Sequence, residues 1–196
     1  MGNALILFVR KPELGKVKTR LAATIGNEKA LAIYEELLQH TFEITQSLSF
    51  LKFVFYVNAI EHNDLWRAEG FIKRLQSDAD LGGKMKDAFA EVIQEGYEKV
   101  VIIGSDCFQL TTAIIQQAFE LLNKNEIVIG PANDGGYYLL GMKKLYGFIF
   151  DNKKWSTETV FGDTVQDLKK YNVSFTTLPI LTDVDTEEDW QLSKKD

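Results

Sequence analysis

Five cations and one acid fall within eleven residues near the start of the chain: Arg10-Lys11-Pro12-Glu13-Leu14-Gly15-Lys16-Val17-Lys18-Thr19-Arg20. The chain as a whole has a formal net charge of −6, so this cluster runs against its background. Concentrated positive charge beside a glycine suits a polyphosphate. Arginine grips two oxygens at once, and glycine lets the backbone approach closely. A solvated basic loop has the same composition. The spacing gives neither Gly-x-x-x-x-Gly-Lys-Ser/Thr nor Gly-x-Gly-x-x-Gly, so the two common nucleotide fingerprints are absent.

Three acidic segments complement it. Val100-Val101-Ile102-Ile103-Gly104-Ser105-Asp106 reads as a buried strand that delivers a carboxylate to the mouth of a sheet, where magnesium could use it together with phosphate oxygens. A turn or helix-cap aspartate is the plain alternative. In Leu181-Thr182-Asp183-Val184-Asp185-Thr186-Glu187-Glu188-Asp189, Asp183 and Asp185 alternate around Val184. They share a face if the segment is extended, and a second metal carboxylate could come from here. Asp185 or Thr186 could equally serve only to cap the last helix. Asn133-Asp134-Gly135-Gly136 reads as a tight turn between strands, which leaves Asp134 free to reach a site. Cys107 has no nearby histidine in sequence to activate it, and His40 and His62 read as structural or surface residues. Ser156 or Thr157, after Trp155, could cap a helix.

The elements that must position these groups follow from the hydrophobic pattern. Ala4–Val9, Lys52–Val57, Phe71–Leu75, Val100–Ile103, Glu126–Gly130, Tyr137–Met142 and Val173–Leu178 read as strands. Helices are expected from about Asn27 to Ser47, from an Asp80 cap to about Gln94, over Thr111–Leu122, over Thr157–Tyr171, and from a capped start at Thr186. Residues 10 to 19 read as loop. The alternation predicts an α/β fold: one domain over residues 1–196, with a mostly parallel (mixed) sheet and helices on both faces. Ligands of such sheets lie beyond the carboxyl ends of the strands, which is where the basic segment and Asp106 fall.

Composition narrows the function classes. The 196 residues, 45% hydrophobic and 26% charged, suit one globular domain. An acidic chain argues against a broad nucleic-acid surface. No stretch has the length or flanks of a signal peptide or a transmembrane span, and a single cysteine fits a reducing cytoplasm.

Taken together, the segments resemble a bacterial glycosyltransferase-A-like family called selenodomain-associated transferases, relatives of molybdenum-cofactor and phospholactate guanylyltransferases. The matching stretches are Lys11-Pro12-x-x-Gly15-x-Val17-Lys18-Thr19-Arg20-Leu21, Asp80-Leu81-Gly82-x-x-Met85, Gly104-Ser105-Asp106-Cys107, Gly130-Pro131-Ala132-x-Asp134-Gly135-Gly136-Tyr137-Tyr138-Leu139, Trp155-Ser156-Thr157 and Asp183-Val184-Asp185-Thr186-x-x-Asp189. They occur in the family's order along the whole chain.

The resemblance implies a nucleotide-diphospho-sugar transferase fold of the glycosyltransferase-A type. It implies nucleotide phosphates on Lys16, Lys18 and Arg20, with Lys11 and Asp80-Leu81-Gly82 on the nucleotide side. It implies magnesium (or manganese) on Asp106 and Asp185. Asp134, Gly135, Gly136 and Trp155-Ser156-Thr157 would face a sugar or acceptor. The implied catalytic set is Asp106, Asp134, Lys18 and Arg20, and the implied partners are a nucleotide or nucleotide sugar and a small-molecule acceptor.

Glycosyl transfer from a nucleotide sugar is the first expectation. Nucleotidyl transfer onto a phosphorylated substrate is the alternative that the guanylyltransferase-like loop favours. Two departures, Phe108 where the family has Pro and Gly83-Lys84 where it has Glu-Arg, raise a third: a nucleotide-binding protein without catalysis. A nicotinamide-dependent oxidoreductase lacks its glycine fingerprint.

Overall fold

The computed structural model describes residues 2–194. The most apolar segments become the centre of the sheet. Leu5, Ile6 and Leu7 are fully buried; each such side chain contributes about 1.5–3 kcal/mol when removed from water. They belong to β1 (Asn3–Val9), which pairs in parallel with β2 (Leu51–Tyr56) on one side and β4 (Lys99–Ile103) on the other. With β3 (Phe71–Leu75), β5 (Ile127–Pro131), β6 (Tyr137–Met142) and β7 (Phe175–Thr177), they form one seven-stranded sheet in the order β3-β2-β1-β4-β6-β5-β7. Only β6 runs against its neighbours. The expected α/β fold with a mostly parallel mixed sheet is therefore present.

Alternate residues of each strand feed two cores. Leu5, Leu7 and Val9 of β1 pack with Tyr34 and Leu38 of α2 (Asn27–Gln46) and with Ile115 and Phe119 of α4 (Thr112–Leu121). Ala4 and Ile6 pack on the opposite face with Met85 and Phe89 of α3 (Leu81–Gln94) and Leu168 of α5 (Val160–Lys170). The period of two along the strands thus sets which helix covers which face.

Caps mark several expected boundaries. Asp80 accepts from the Gly83 N–H at 2.8 Å, Thr111 caps α4, and Thr186 with Asp189 forms a capping box at α6 (Glu187–Ser193).

Strand β7 is shorter than the expected Val173–Leu178, and two helix starts differ from the sequence reading. Residues expected as the end of a basic loop enter a short helix, α1 (Thr19–Ile25). Its seven residues have no acidic first turn and no side-chain cap, so it carries few of the usual signals. The helix expected from Thr157 begins instead at Val160. Ser156 has φ of 62°, so the chain turns sharply ahead of the helix. The Thr157 hydroxyl donates to the Lys154 carbonyl rather than capping the helix.

Candidate active site

The chain lays β1, β2 and β3 out in one direction and then returns to place β4 on the other side of β1. The crevice beyond the β1 and β4 carboxyl ends is therefore the topological switch point of the sheet. A cleft of about 640 Å³ opens there. Lys16, Lys18 and Arg20 line it from the segment after β1, and Asp106 from the segment after β4. Asp183 and Asp185 enter from the segment before α6. Asp80 and Leu81 line it from the start of α3, and Asp134, Gly136, Trp155, Ser156 and Thr157 line it from the β5–β6 turn and the segment before α5. Three expected positions do not line this cleft. Lys11 faces a neighbouring depression and pairs with Glu61 at 2.8 Å. Gly82 lies beneath Trp155, and Gly135 packs on the Glu158 backbone.

Lys18 ties the two charged halves together. Its ammonium lies 2.7 Å from Asp106 Oδ1 and 3.7 Å from Asp185 Oδ1, with its side chain only 6% exposed. Arg20 reaches Asp185 at 3.3 Å from an exposed position. The Lys18 backbone is left-handed, φ 47° and ψ 45°, a conformation that costs a non-glycine residue about 1–2 kcal/mol. Its carbonyl nevertheless accepts from Ala22, starting α1. The strained residue is thus the one that carries the buried cation into the carboxylates.

Local bonds hold the acids in register. The Val184 N–H donates to the Asp106 carbonyl at 2.8 Å, and the Thr182 N–H donates to Gln109 Oε1 at 2.9 Å. Val184 is fully buried between Asp183 and Asp185, among Leu21, Ala30 and Leu37. The two acids flanking it therefore turn to the cleft, as their alternation requires. Ala132 forms a parallel bridge with Leu181, and the Asn133 amide donates to the Thr182 hydroxyl at 2.6 Å. These contacts bring the Asp134 turn alongside the same segment. Burial pushes the Asp183 carboxyl up to about 7. The charges of Asp106 and Asp134 add to the effect, the Lys18 charge opposes it, and Asp185 adds a further rise. Nothing in the sequence distinguishes Asp183 from Asp185; the charges gathered around it by the fold do.

The apolar wall is also built from backbone constraints. Trp155 stands edge-on to Tyr137 at 6.4 Å between ring centroids and stacks near Phe150 at 6.3 Å. A Cβ on Gly82 would meet Trp155 Nε1 at 2.1 Å, so α3 admits the indole only because that position is glycine. Asp134 Oδ1 accepts from the Gly136 N–H at 2.9 Å, holding the turn of the β5–β6 hairpin and leaving its second oxygen to the cleft.

Three further groups line the cleft without a role expected from the sequence. Arg10 and Lys84 line the cleft with no ion-pair partner among the described residues. Gln76 donates from Nε2 to the Phe55 carbonyl at 3.0 Å and lines the cleft near Asp80. Cys107 is buried and its thiol is pushed up, first by desolvation, which argues against a thiolate nucleophile.

Among the described residues, no three His, Cys, Asp or Glu side chains converge as a preassembled metal site. The donors that are present, hard carboxylates in pairs beside a phosphate-sized basic loop, fit a cation that completes its shell with phosphate oxygens and water. The Lys18 ammonium already bridges Asp106 and Asp185, so this pair accepts a cation between its members.

Comparison with known proteins agrees with this architecture. The chain is 32% identical to a "putative nucleotide-diphospho-sugar transferase" from Desulfovibrio desulfuricans G20, with a TM-score of 0.87 over 94% of this chain and 82% of that one. It shares its fold with Rv0371C of Mycobacterium tuberculosis H37Rv in complex with manganese, at 13% identity and a TM-score of 0.59 over 100% and 98% of the two chains. It shares it also with 4-diphosphocytidyl-2C-methyl-D-erythritol synthase from Anaerococcus prevotii DSM 20548, at 12% identity and a TM-score of 0.62 over 97% and 93%. No curated protein matches the sequence. The family model described as "Uncharacterized protein conserved in bacteria (DUF2064)" matches residues 41–157, more than half of the chain, and the chain belongs to that family.

Proposed function

We propose that the protein is a transferase that binds a nucleotide sugar with a divalent metal ion and moves the sugar to a small-molecule acceptor. The observation that carries this reading is the meeting of the basic loop with the acids: Lys18 lies between Asp106 and Asp185 in a cleft that Asp134 and Trp155 also line. The description of the Desulfovibrio relative points the same way. So does the motif set shared with selenodomain-associated transferases.

In this reading Lys16, Lys18 and Arg20 neutralise the phosphates of the donor, and Lys18 and Arg20 stabilise charge on the departing nucleoside diphosphate. Asp106 and Asp185 would hold magnesium or manganese, which when bound neutralises phosphate charge as a Lewis acid. Asp134, on a turn and exposed to the cleft, is placed to bind a sugar hydroxyl or to take the acceptor's proton. Trp155 offers its ring face and edge as a wall for the sugar or acceptor. Lys11, paired with Glu61 outside the cleft, has no part in it.

Nucleotidyl transfer is the second reading. It is favoured by the guanylyltransferase-like Lys18-Thr19-Arg20 segment, whose cations would stabilise a transferring phosphoryl group.

Thermal shifts with nucleoside triphosphates and nucleotide sugars, each with magnesium, manganese or chelator, separate the readings. A ligand at a hundredfold excess over its Kd stabilises by about 2.7 kcal/mol. A metal-dependent shift with one nucleotide sugar is expected, and Asp106→Asn or Asp185→Asn should abolish the metal dependence. A shift with a triphosphate alone would replace the first reading by the second. No shift with either class would reject both.

A further inference from the structure

Beside the cleft, on the α2 face of the sheet, lies a second depression of about 960 Å³. It is bounded by α2, by the residues that follow β1, and by the 3₁₀ turn at Leu65–Arg67. Its floor is firm and apolar. Leu38 and Trp66 are buried, and Phe42 packs edge-to-face on Trp66 at 5.8 Å. Most acids on its rim are already engaged. Glu61 pairs with Lys11 at 2.8 Å, and Asp64 receives the Lys73 ammonium at 2.6 Å together with the Tyr56 hydroxyl. The guanidinium groups of Arg10 and Arg67 also line the depression, and neither has an ion-pair partner among the described residues. Glu35 is the one lining acid without such a partner. The free charge there is positive, in a chain of net charge −6.

Two unpaired guanidinium groups over an aromatic and aliphatic floor make a matched pair of surfaces. The planar fork of arginine recognises a carboxylate or phosphate, and the floor takes a flat apolar body. We propose that this depression is a second ligand site, for a small molecule with a ring-sized apolar body and a single oxyanion head. The body rests on Phe42 and Leu65, and the head lies against Arg10 and Arg67. The site is placed to communicate with the cleft. Arg10 lines both, its backbone N–H donates to the Tyr34 hydroxyl at 2.9 Å, and that hydroxyl lies 3.4 Å from Ser105 Oγ, one residue before Asp106.

The probes are 2-naphthoate and 2-naphthyl phosphate, titrated separately into the whole protein by calorimetry. Saturable one-to-one binding of either is expected, and the tighter of the two identifies the head group. Arg67, which is exposed and outside the cleft, should matter most. Arg67→Ala should weaken binding roughly tenfold, the worth of a charge-assisted hydrogen bond. Lys84→Ala, which removes a free cation from the neighbouring cleft, should leave probe affinity unchanged. The proposal is overturned if neither probe binds, if Arg67→Ala binds as well as the parent, or if Lys84→Ala loses the probe. Because neither probe contains a nucleoside, each of these results is separate from the nucleotide titrations of the cleft.

Discussion

Asp183 shows how much a single residue's surroundings decide. Its carboxyl shifts from a usual 3.8 to about 7 because it is buried and faces Asp106 and Asp134. A carboxyl raised in the folded state binds a proton there that the unfolded chain has already lost. Its contribution to stability is therefore most unfavourable above pH 7 and fades as pH falls towards 4. In metal-free protein, Asp183→Asn should raise stability at pH 8 by an amount on the order of 1–4 kcal/mol, and by little at pH 4. Urea unfolding at the two pH values measures the difference, and an equal effect at both would mean that Asp183 is not the group responsible. Lys18 is the counterpart at the same scale. It is a left-handed residue with a nearly buried ammonium, and its backbone strain is repaid only if the cation it delivers is needed in the cleft.

At the scale of elements, the site depends on loops fixed by close approach. Gly135 has φ of 85°, and a Cβ there would sit 2.0 Å from the Glu158 carbonyl oxygen. The Phe161 N–H donates to the Gly135 carbonyl at 2.9 Å. The hairpin that carries Asp134 is thereby bolted to the start of α5 and to the Trp155–Thr157 loop. Gly135→Ala must both enter a disfavoured conformation and push that loop away. A loss of roughly 2–4 kcal/mol is expected, read as a fall in Tm together with a change in Trp155 fluorescence. A loss under about 0.5 kcal/mol, the range of ordinary surface substitutions, would show that the two segments are not tightly joined.

At the scale of the whole molecule, Phe108, one of the two departures noted above, bridges distant elements. Its ring lies 4.6 Å from His40 on α2 and 5.3 Å, edge-on, from Trp190 on α6. It does not line the cleft. It joins the segment after β4 to the first long helix and to the last one, and so helps to fix Asp106 against Asp185. Phe108→Ala should cost about 2 kcal/mol, less than the truncation of a fully buried phenylalanine. Manganese affinity, followed by electron paramagnetic resonance, should weaken with it. Unchanged manganese binding would confine Phe108 to stability alone.

The sequence by itself determined the strands, the two faces of the sheet and most helix caps. Those depend on periods of two and 3.6 and on bonds between near neighbours, such as Asp80 to Gly83 or Thr186 to Asp189. It also brought the basic loop and Asp106 to the carboxyl ends of β1 and β4, because each directly follows its strand. It did not reveal α1, which lacks cap and charge signals, nor the late start of α5, where the Thr157 hydroxyl turns back to the Lys154 carbonyl. Only the tertiary structure decided that Lys11 leaves the cleft for Glu61 while Lys18 enters it, and that the surroundings of Asp183 push its carboxyl up. Both outcomes arise from packing between residues far apart in the chain, Val184 on the α1–α2 core and Asp106 against Lys18, and spacing along a sequence carries no record of such distances.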